Sequence, residues 1–375
     1  MRPKVLYIPA WYPCSFFKEQ IDVMRNDCEI RILKGSVQKI GLRRGLKYLL
    51  NKDEKIKFEC NNDIPSVEVC YIQRLPKKYF TKQLNDVSNK IGDYIVYLFS
   101  GVKPDVIHIQ SISDIAVFVA HWAKANNIKV VLTEHILFVR HEITEFSRLR
   151  ESLYNTVNHV LCVSNYVYRN LLTSGFHPKK ISTIGNLVND KFLDVEVSQE
   201  RNGKILFVAN HYHDKGLEIL LQVVGKLKVF GNIVVDVVGL DQSSMYNSRT
   251  TMATEIASRG VSNNINLLGI VDHNELLKMY VNYSVLLSTS ISETFGLAVA
   301  ESLMYGTPVV CTDSGGIRDF VNEKNGIIVP INDVDAIVSA LLRILNKEVV
   351  LDNYSSQISE HYGYDAFRKK TSSVY

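Results

Sequence analysis

An α/β fold with two doubly wound parallel sheets is what this 375-residue chain predicts. Three observations carry that expectation. Short uninterrupted Val/Ile/Leu runs recur from end to end, helical patterns separate them, and one polar break falls near the middle. Continuous apolar runs belong to strands covered on both faces, as in parallel sheets, whereas half-exposed strands alternate. The length favours two domains over one.

The strands read off in order. In the first half they are Val5–Ile8, Val106–Ile109, Val130–Thr133 and Val160–Val163. In the second they are Ile205–Ala209, Ile233–Val238, Ile265–Leu268, Val285–Ser288, Pro308–Cys311 and Gly326–Val329. Helical patterns lie between them, for example at Leu217–Lys228 and Asn274–Val281. The polar run Glu196–Gly203 precedes a fresh strand, so residues 1–195 and 196–355 form the expected domains, with 356–375 as a closing segment. In open α/β sheets ligands sit beyond the carboxyl ends of strands. Two facing sheets would put a site in the cleft between them.

The most informative string is Ser290-Ile-Ser-Glu-Thr-Phe-Gly-Leu-Ala-Val-Ala-Glu301. It leaves an apolar strand, opens a helix over Gly296, and sets Glu293 and Glu301 at either end of the turn. A helix N-terminus offers free N–H groups and a positive dipole end, which suits a phosphate. Carboxylates suit the donor hydroxyls of ribose and sugars. A nucleotide sugar carries both groups. The spacing alone says little, because Glu134 and Glu142 share it. Eight helical steps separate two side chains by about 80° and about 12 Å, too far for a close acid/base pair. The setting distinguishes Glu293 and Glu301: strand before, Thr294-Phe-Gly296 at the turn, and Gly306-Thr-Pro308 stopping the helix before another strand.

Composition narrows the classes. The apolar fraction of 46% and charged fraction of 22% are those of a globular protein that builds its core without staples. The cysteines at 14, 28, 60, 70, 162 and 311 are scattered, without a C-x-x-C pair, which argues for reduced thiols over a disulfide frame or zinc site. No window approaches the roughly 20 apolar residues of a membrane span. Val5–Ile8 follows the start without a leader, so a cytoplasmic protein is expected. Net charge is +4, yet residues 1–100 hold 18 Lys/Arg against 11 Asp/Glu. Arg31, Lys34, Lys39, Arg43, Arg44, Lys47 and Lys52 occur without one acid between them, interleaved with Val37, Ile40, Leu46, Leu49 and Leu50 at helical spacing. That reads as a solvated basic helix or as an interfacial segment for anionic lipid at the inner membrane face. No recognition-helix or stacking pattern points to nucleic acid.

Taken in order, the motifs resemble the retaining glycosyltransferases of family 4, which have the GT-B fold of two Rossmann-like domains facing across a cleft. The string begins with Ala10-Trp-Tyr-Pro13, Phe16–Gln20, Lys103–His108 and Val131-Leu-Thr-Glu-His135. It continues with Val163-Ser164, Gly185-Asn186, Asp214-Lys-Gly216 and Leu268-Gly269. Then come Glu293–Glu301, Gly306–Val309, Gly315-Gly316 and Asn325-Gly326. The closing stretch from His361 to Tyr375 is similar to the family's last helix, which returns to the N-terminal domain.

The resemblance implies roles. Glu301 would bind ribose, and Glu293 would lie near the transferred sugar. Thr294, Phe295, Gly296 and Leu297 would read its hydroxyls or the distal phosphate, with Gly269 also at the donor. Lys215 would neutralise the diphosphate. The arginine that usually shares this task is here Asn210, a dipole without charge, and His211 or His213 could compensate. The first loop has Pro13-Cys-Ser15 where many relatives have paired glycines. His135 matches the family's active-site histidine, whereas His108 reads as a packed core residue. Arg140, His141 and Arg148 could line an acceptor site. The implied reaction transfers a sugar from a nucleotide-diphosphate donor to a saccharide or lipid-linked saccharide, with retention. No D-x-D cluster is placed to hold a metal, so no cofactor is expected. Rival readings are a nucleotide-sugar epimerase, with Glu134 as its best first-domain carboxylate, and a degenerate sugar-binding module.

Overall fold

The computed structural model describes residues 2–9, 15–39, 55–61, 64–73, 80–110, 112–137, 151–175, 180–193, 203–209, 213–349, 351–352 and 354–375. The chain divides into two compact units, Met1–Gly185 with Arg368–Tyr375, and Asn186–Phe367.

The first unit holds a sheet of β1 (Lys4–Ile8), β2 (Glu29–Lys39), β3 (Lys55–Asn61), β4 (Ile64–Gln73), β5 (Val106–Ile109), β6 (Lys129–Glu134), β7 (His159–Cys162) and β8 (Ile181–Thr183). Among the described residues the order is β3-β4-β2-β1-β5-β6-β7-β8. Among the described strands only the β3–β4 pair is antiparallel. The central strands are buried on both faces, as their unbroken apolar runs require: β5 and β7 show no exposed position.

β2 corrects the sequence reading. Arg31 to Lys39 extend as strand and pair with β1 and β4, not as part of a basic helix. The cations that mimicked an amphipathic helix find partners in the folded unit. Arg31 donates to the Leu98 carbonyl at 3.2 Å, pairs with Glu29 at 2.9 Å and lies over the Phe99 ring; Lys34 meets Glu59 at 3.3 Å. Burial of Ile30, Ile32 and Leu33 then decides for strand. Residues 40–54 lie outside the described residues.

The second unit is built on β9 (Ile205–Val208), β10 (Val235–Val238), β11 (Ile265–Gly269), β12 (Val285–Ser288), β13 (Val309–Thr312) and β14 (Gly326–Val329). The order is β11-β10-β9-β12-β13-β14, parallel throughout. Ile205, Phe207, Val235, Val237, Val285 and Leu287 form one buried cluster with apolar positions of Leu217–Leu227 and Val334–Leu345. Strand order reverses between β9 and β12, and such a switch point opens a crevice beyond the strand ends.

The unit boundary falls before the expected 195/196, and for a visible reason. Residues 186–190 are already tied into the second unit. Val188 N–H donates to the Tyr362 carbonyl at 2.9 Å, and Tyr305 to the Asn189 carbonyl at 2.9 Å. The closing segment is two helices, Ser355–Tyr362 and Tyr364–Ser372, broken at Gly363. Only from Arg368 does it join the first unit, where Ser372 donates to Asp27 at 3.2 Å and Lys370 to the Ile184 carbonyl at 3.4 Å. Among the described residues no helix is long and apolar enough to cross a membrane.

Candidate functional site

Three loops follow β9, β12 and β13, and glycines let them touch. Gly216 has φ +67, and a Cβ there would come within 2.0 Å of the Thr289 carbonyl oxygen. Gly316 would meet the Thr294 carbonyl oxygen at 2.3 Å, and Gly296, at φ +93, the Ile317 side chain at 2.4 Å. Only glycine fits such approaches. Hydrogen bonds fix the contact: Thr289 Oγ1 donates to the Gly216 carbonyl at 2.8 Å, Ile291 N–H to the Asp214 carbonyl at 2.7 Å, and Gly316 N–H to the Glu293 carbonyl at 2.9 Å.

This framework brings Lys215 onto Glu293. The ammonium donates to Glu293 Oε1 at 2.6 Å, and Ser290 Oγ donates to the same oxygen at 2.8 Å. Both charges are partly withdrawn from water, with side chains 28% and 13% exposed. They border a cavity of about 190 Å³ lined also by Asn186, Ser288, Thr294, Phe295, Gly296 and Leu297. The helix Leu297–Met304 opens into it, and its N-cap is Gly296, which has no side chain to cap the first turn. The first-turn N–H groups there can accept an anion as partner. A cation, a carboxylate and an uncapped helix end thus share one small space.

Asn186 is a residue whose part sequence reading missed. It lines the cavity, is 8% exposed, and its side-chain oxygen has no partner among the described residues. A buried acceptor left unmade is costly, so a ligand hydroxyl that donates to it would be favoured. The signal in the sequence was only a Gly-Asn pair.

Glu301 stands apart from the cavity lining. It is 3% exposed, accepting from His273 Nε2 at 2.8 Å and from Tyr280 at 3.0 Å. Burial, then the nearby carboxylate, pushes the Tyr280 hydroxyl well above its usual pKa. A carboxylate has about four lone-pair positions, so two remain for a donor hydroxyl. Gly269 ends β11 with φ +71, its N–H bonded to the Leu240 carbonyl and its carbonyl accepting from Gly239, and does not line the cavity. Asn210, Arg140, His141 and Arg148 lie outside the described residues, as do His211 and the Pro13-Cys14 part of the first loop.

His135 belongs to the first unit, just past β6. Phe16 and Phe17 meet its ring edge-on at 5.8 and 5.9 Å, and its Nε2 lies 2.9 Å from Gln110 Oε1. Burial lowers its pKa to about 4. His108, fully buried in β5, falls to about 3, by burial first and the His135 charge second. It is the packed, hydrogen-bonded residue its apolar strand implied. Glu134 is 2% exposed, accepting from Tyr154 at 2.5 Å and from Ile136 N–H at 3.0 Å. It is built in as a structural acceptor, which removes the feature an epimerase reading leaned on. The string Asp333-Val-Asp335 is likewise structural: Asp333 caps a helix through Ala336 N–H and Asp335 pairs with Lys226.

Two family models match the chain: Glycosyltransferase Family 4 over residues 65–192 and Glycosyl transferases group 1 over 188–361. An uncharacterized glycosyltransferase of Methanocaldococcus jannaschii is 27% identical over 214 residues, 52% of this chain and 54% of that protein. The phosphatidylinositol N-acetylglucosaminyltransferase gpi3 subunit of Schizosaccharomyces pombe is 23% identical over 261 residues, 68% of this chain and 56% of that one. The chain spans about half the length of these curated relatives. Among solved structures, Anabaena HepE in complex with UDP and glucose superposes with a TM-score of 0.72 at 14% identity, covering 99% of each chain.

A pH prediction follows from the two histidines. Both fold with pKa values below the ordinary 6.5, so the unfolded chain binds more protons. Their contribution is full above pH 6.5 and is lost as pH falls toward 4. Thermal unfolding should show stability falling over that window, less steeply in His108→Gln. A wild-type profile flat from pH 6.5 to 5 would contradict it.

Proposed function

Because the chain belongs to the family 4, group 1 glycosyltransferases with the GT-B fold, we propose that it moves a sugar from a nucleotide diphosphate to a saccharide or lipid-linked saccharide, retaining the anomeric configuration. The observation that carries this reading is the Lys215–Glu293 pair, 2.6 Å apart beside the uncapped helix end. As the sugar leaves, negative charge grows on the diphosphate. Lys215 and the N–H groups at Phe295, Gly296 and Leu297 stabilise that charge in place, the kind of preorganised electrostatic assistance that dominates many enzymes. Glu293, released from Lys215 by the incoming phosphate, turns to the sugar hydroxyls. Glu301, held by His273 and Tyr280, accepts from ribose. His135 faces a sugar hydroxyl as a neutral ring. The departing phosphate takes the acceptor's proton on the same face.

The gpi3 relative is named for phosphatidylinositol, which supports a lipid-linked acceptor; work in cell-surface polysaccharide or lipopolysaccharide assembly is part of the same proposal. The basic residues beyond β2 would hold the protein to anionic lipid at the inner membrane face. Without an acidic metal-binding string at the site loops, turnover proceeds without a metal.

Lys215→Ala should lower kcat about 100-fold to 1,000-fold, the cost typical of removing one such donor; a kcat within experimental error of wild type would remove Lys215 from the mechanism. In Glu301→Ala, calorimetric titration should show greatly weakened nucleotide-sugar binding, and wild-type affinity would refute the ribose role. EDTA should leave the rate unchanged, whereas a loss restored by magnesium or manganese would refute metal independence.

A further inference from the structure

A buried line of hydrogen bonds in the first unit ends on His135. Gln110 directly follows β5, whose register sets Ile109 opposite Leu132 of β6. His108 and Gln110 point to the same face, two residues apart on an extended chain. The Gln110 backbone donates to the Ile8 carbonyl at 2.9 Å, and the residue is 3% exposed. Its amide therefore has fixed surroundings. Oε1 lies 2.9 Å from His135 Nε2, and Nε2 lies 3.3 Å from His108 Nε2. His108 Nε2 also meets Thr133 Oγ1 at 2.7 Å, while its Nδ1 lies 2.6 Å from the Tyr375 hydroxyl. That hydroxyl is 2.6 Å from the hydroxyl of Tyr7, and the Tyr375 carbonyl accepts from Lys129 at 3.3 Å.

The protons can then be assigned. A neutral imidazole has one donor and one acceptor nitrogen. Nε2 of His108 faces the Gln110 amide nitrogen, which can only donate, so it accepts; the Thr133 hydroxyl, able to take either role, is compatible with that. Nδ1–H then donates to the Tyr375 hydroxyl, which shares a hydrogen bond with the Tyr7 hydroxyl. With the Gln110 amide nitrogen committed to His108, its oxygen faces His135, where it can only accept. His135 must carry its proton on Nε2, which leaves the lone pair on Nδ1. A histidine's free nitrogen is set by the bond its other nitrogen makes.

We propose that Gln110 is the positioning residue of His135, and that the buried Tyr375–His108 pair, acting through the Gln110 amide, locks His135 as the Nε2–H tautomer with Nδ1 presented as acceptor to a sugar hydroxyl. The sugar half rests on the transferase reading; the tautomer half does not. Tyr375 thereby wires the last residues of the chain to the functional ring. The reverse amide orientation would invert every proton and put the His135 hydrogen on Nδ1.

The test is nitrogen NMR of the full-length protein labelled at histidine, without substrate. His135 should show the Nε2–H form in wild type and a mixture of tautomers in Gln110→Leu. Tyr375→Phe, a milder change that keeps the core filled, should shift the same ratio part of the way. Gln110→Leu should also lose about 10-fold to 100-fold in kcat/KM, the scale on which a histidine's outer partner usually matters, while affinity for free nucleoside diphosphate stays unchanged. An Nδ1–H tautomer in wild type, or an unaltered His135 spectrum in both variants, overturns the proposal. If the wild type transfers no sugar from any donor, the transferase reading fails, and the tautomer result still decides the role of Gln110.

Discussion

Close backbone contact between three loops is the constraint on which the second unit's chemistry depends. Gly216 against Thr289, Gly316 against Thr294 and Gly296 against Ile317 leave no room for a Cβ. They gather the loops after β9, β12 and β13 beside the switch point between β9 and β12, where a parallel sheet already opens. Because the loops meet at main-chain distance, a lysine on one and a glutamate on the next reach hydrogen-bonding range. The same contact starts the Leu297–Met304 helix with a glycine, Gly296, at its N-cap. Sterics at three glycines thus decide where charge resides.

The first unit solves a different problem. It joins two histidines, two tyrosine hydroxyls and a glutamine in one chain of hydrogen bonds, and withdrawal from water keeps both rings neutral. Fully satisfied polar networks rigidify and specify a unique arrangement. Here the network specifies a ring orientation at a strand's carboxyl end. The closing residues take part in it, so the return of residues 368–375 to this unit has a local chemical purpose.

Much of this was legible in the sequence. Val106–Ile109, Val285–Ser288 and Gly326–Val329 were readable as strands because both faces of a parallel strand are apolar. Glu293 emerged from strand–turn–helix context and Lys215 from the resemblance to the family, whereas the bare spacing shared with Glu134 and Glu142 was empty. β2 stayed hidden because Arg31 and Lys34 imitate a helical basic face; their partners Leu98, Phe99 and Glu59 are distant in sequence. Gln110 and Asn186 were missed for the same reason. Their meaning lies in a contact 25 residues away and in a cavity wall, and neither leaves a local pattern.

The two halves of the account meet in one reaction. In the proposed reaction Lys215 and the helix N-terminus would favour departure of a diphosphate, and a departing phosphate that receives the acceptor's proton would direct attack to the face it leaves. The most direct measurement is the anomeric configuration of the product, followed by proton NMR as sugar passes from a nucleotide donor to an acceptor. The account predicts that the new glycosidic bond has the donor's configuration from its first appearance. A product of inverted configuration at the earliest time points would contradict it.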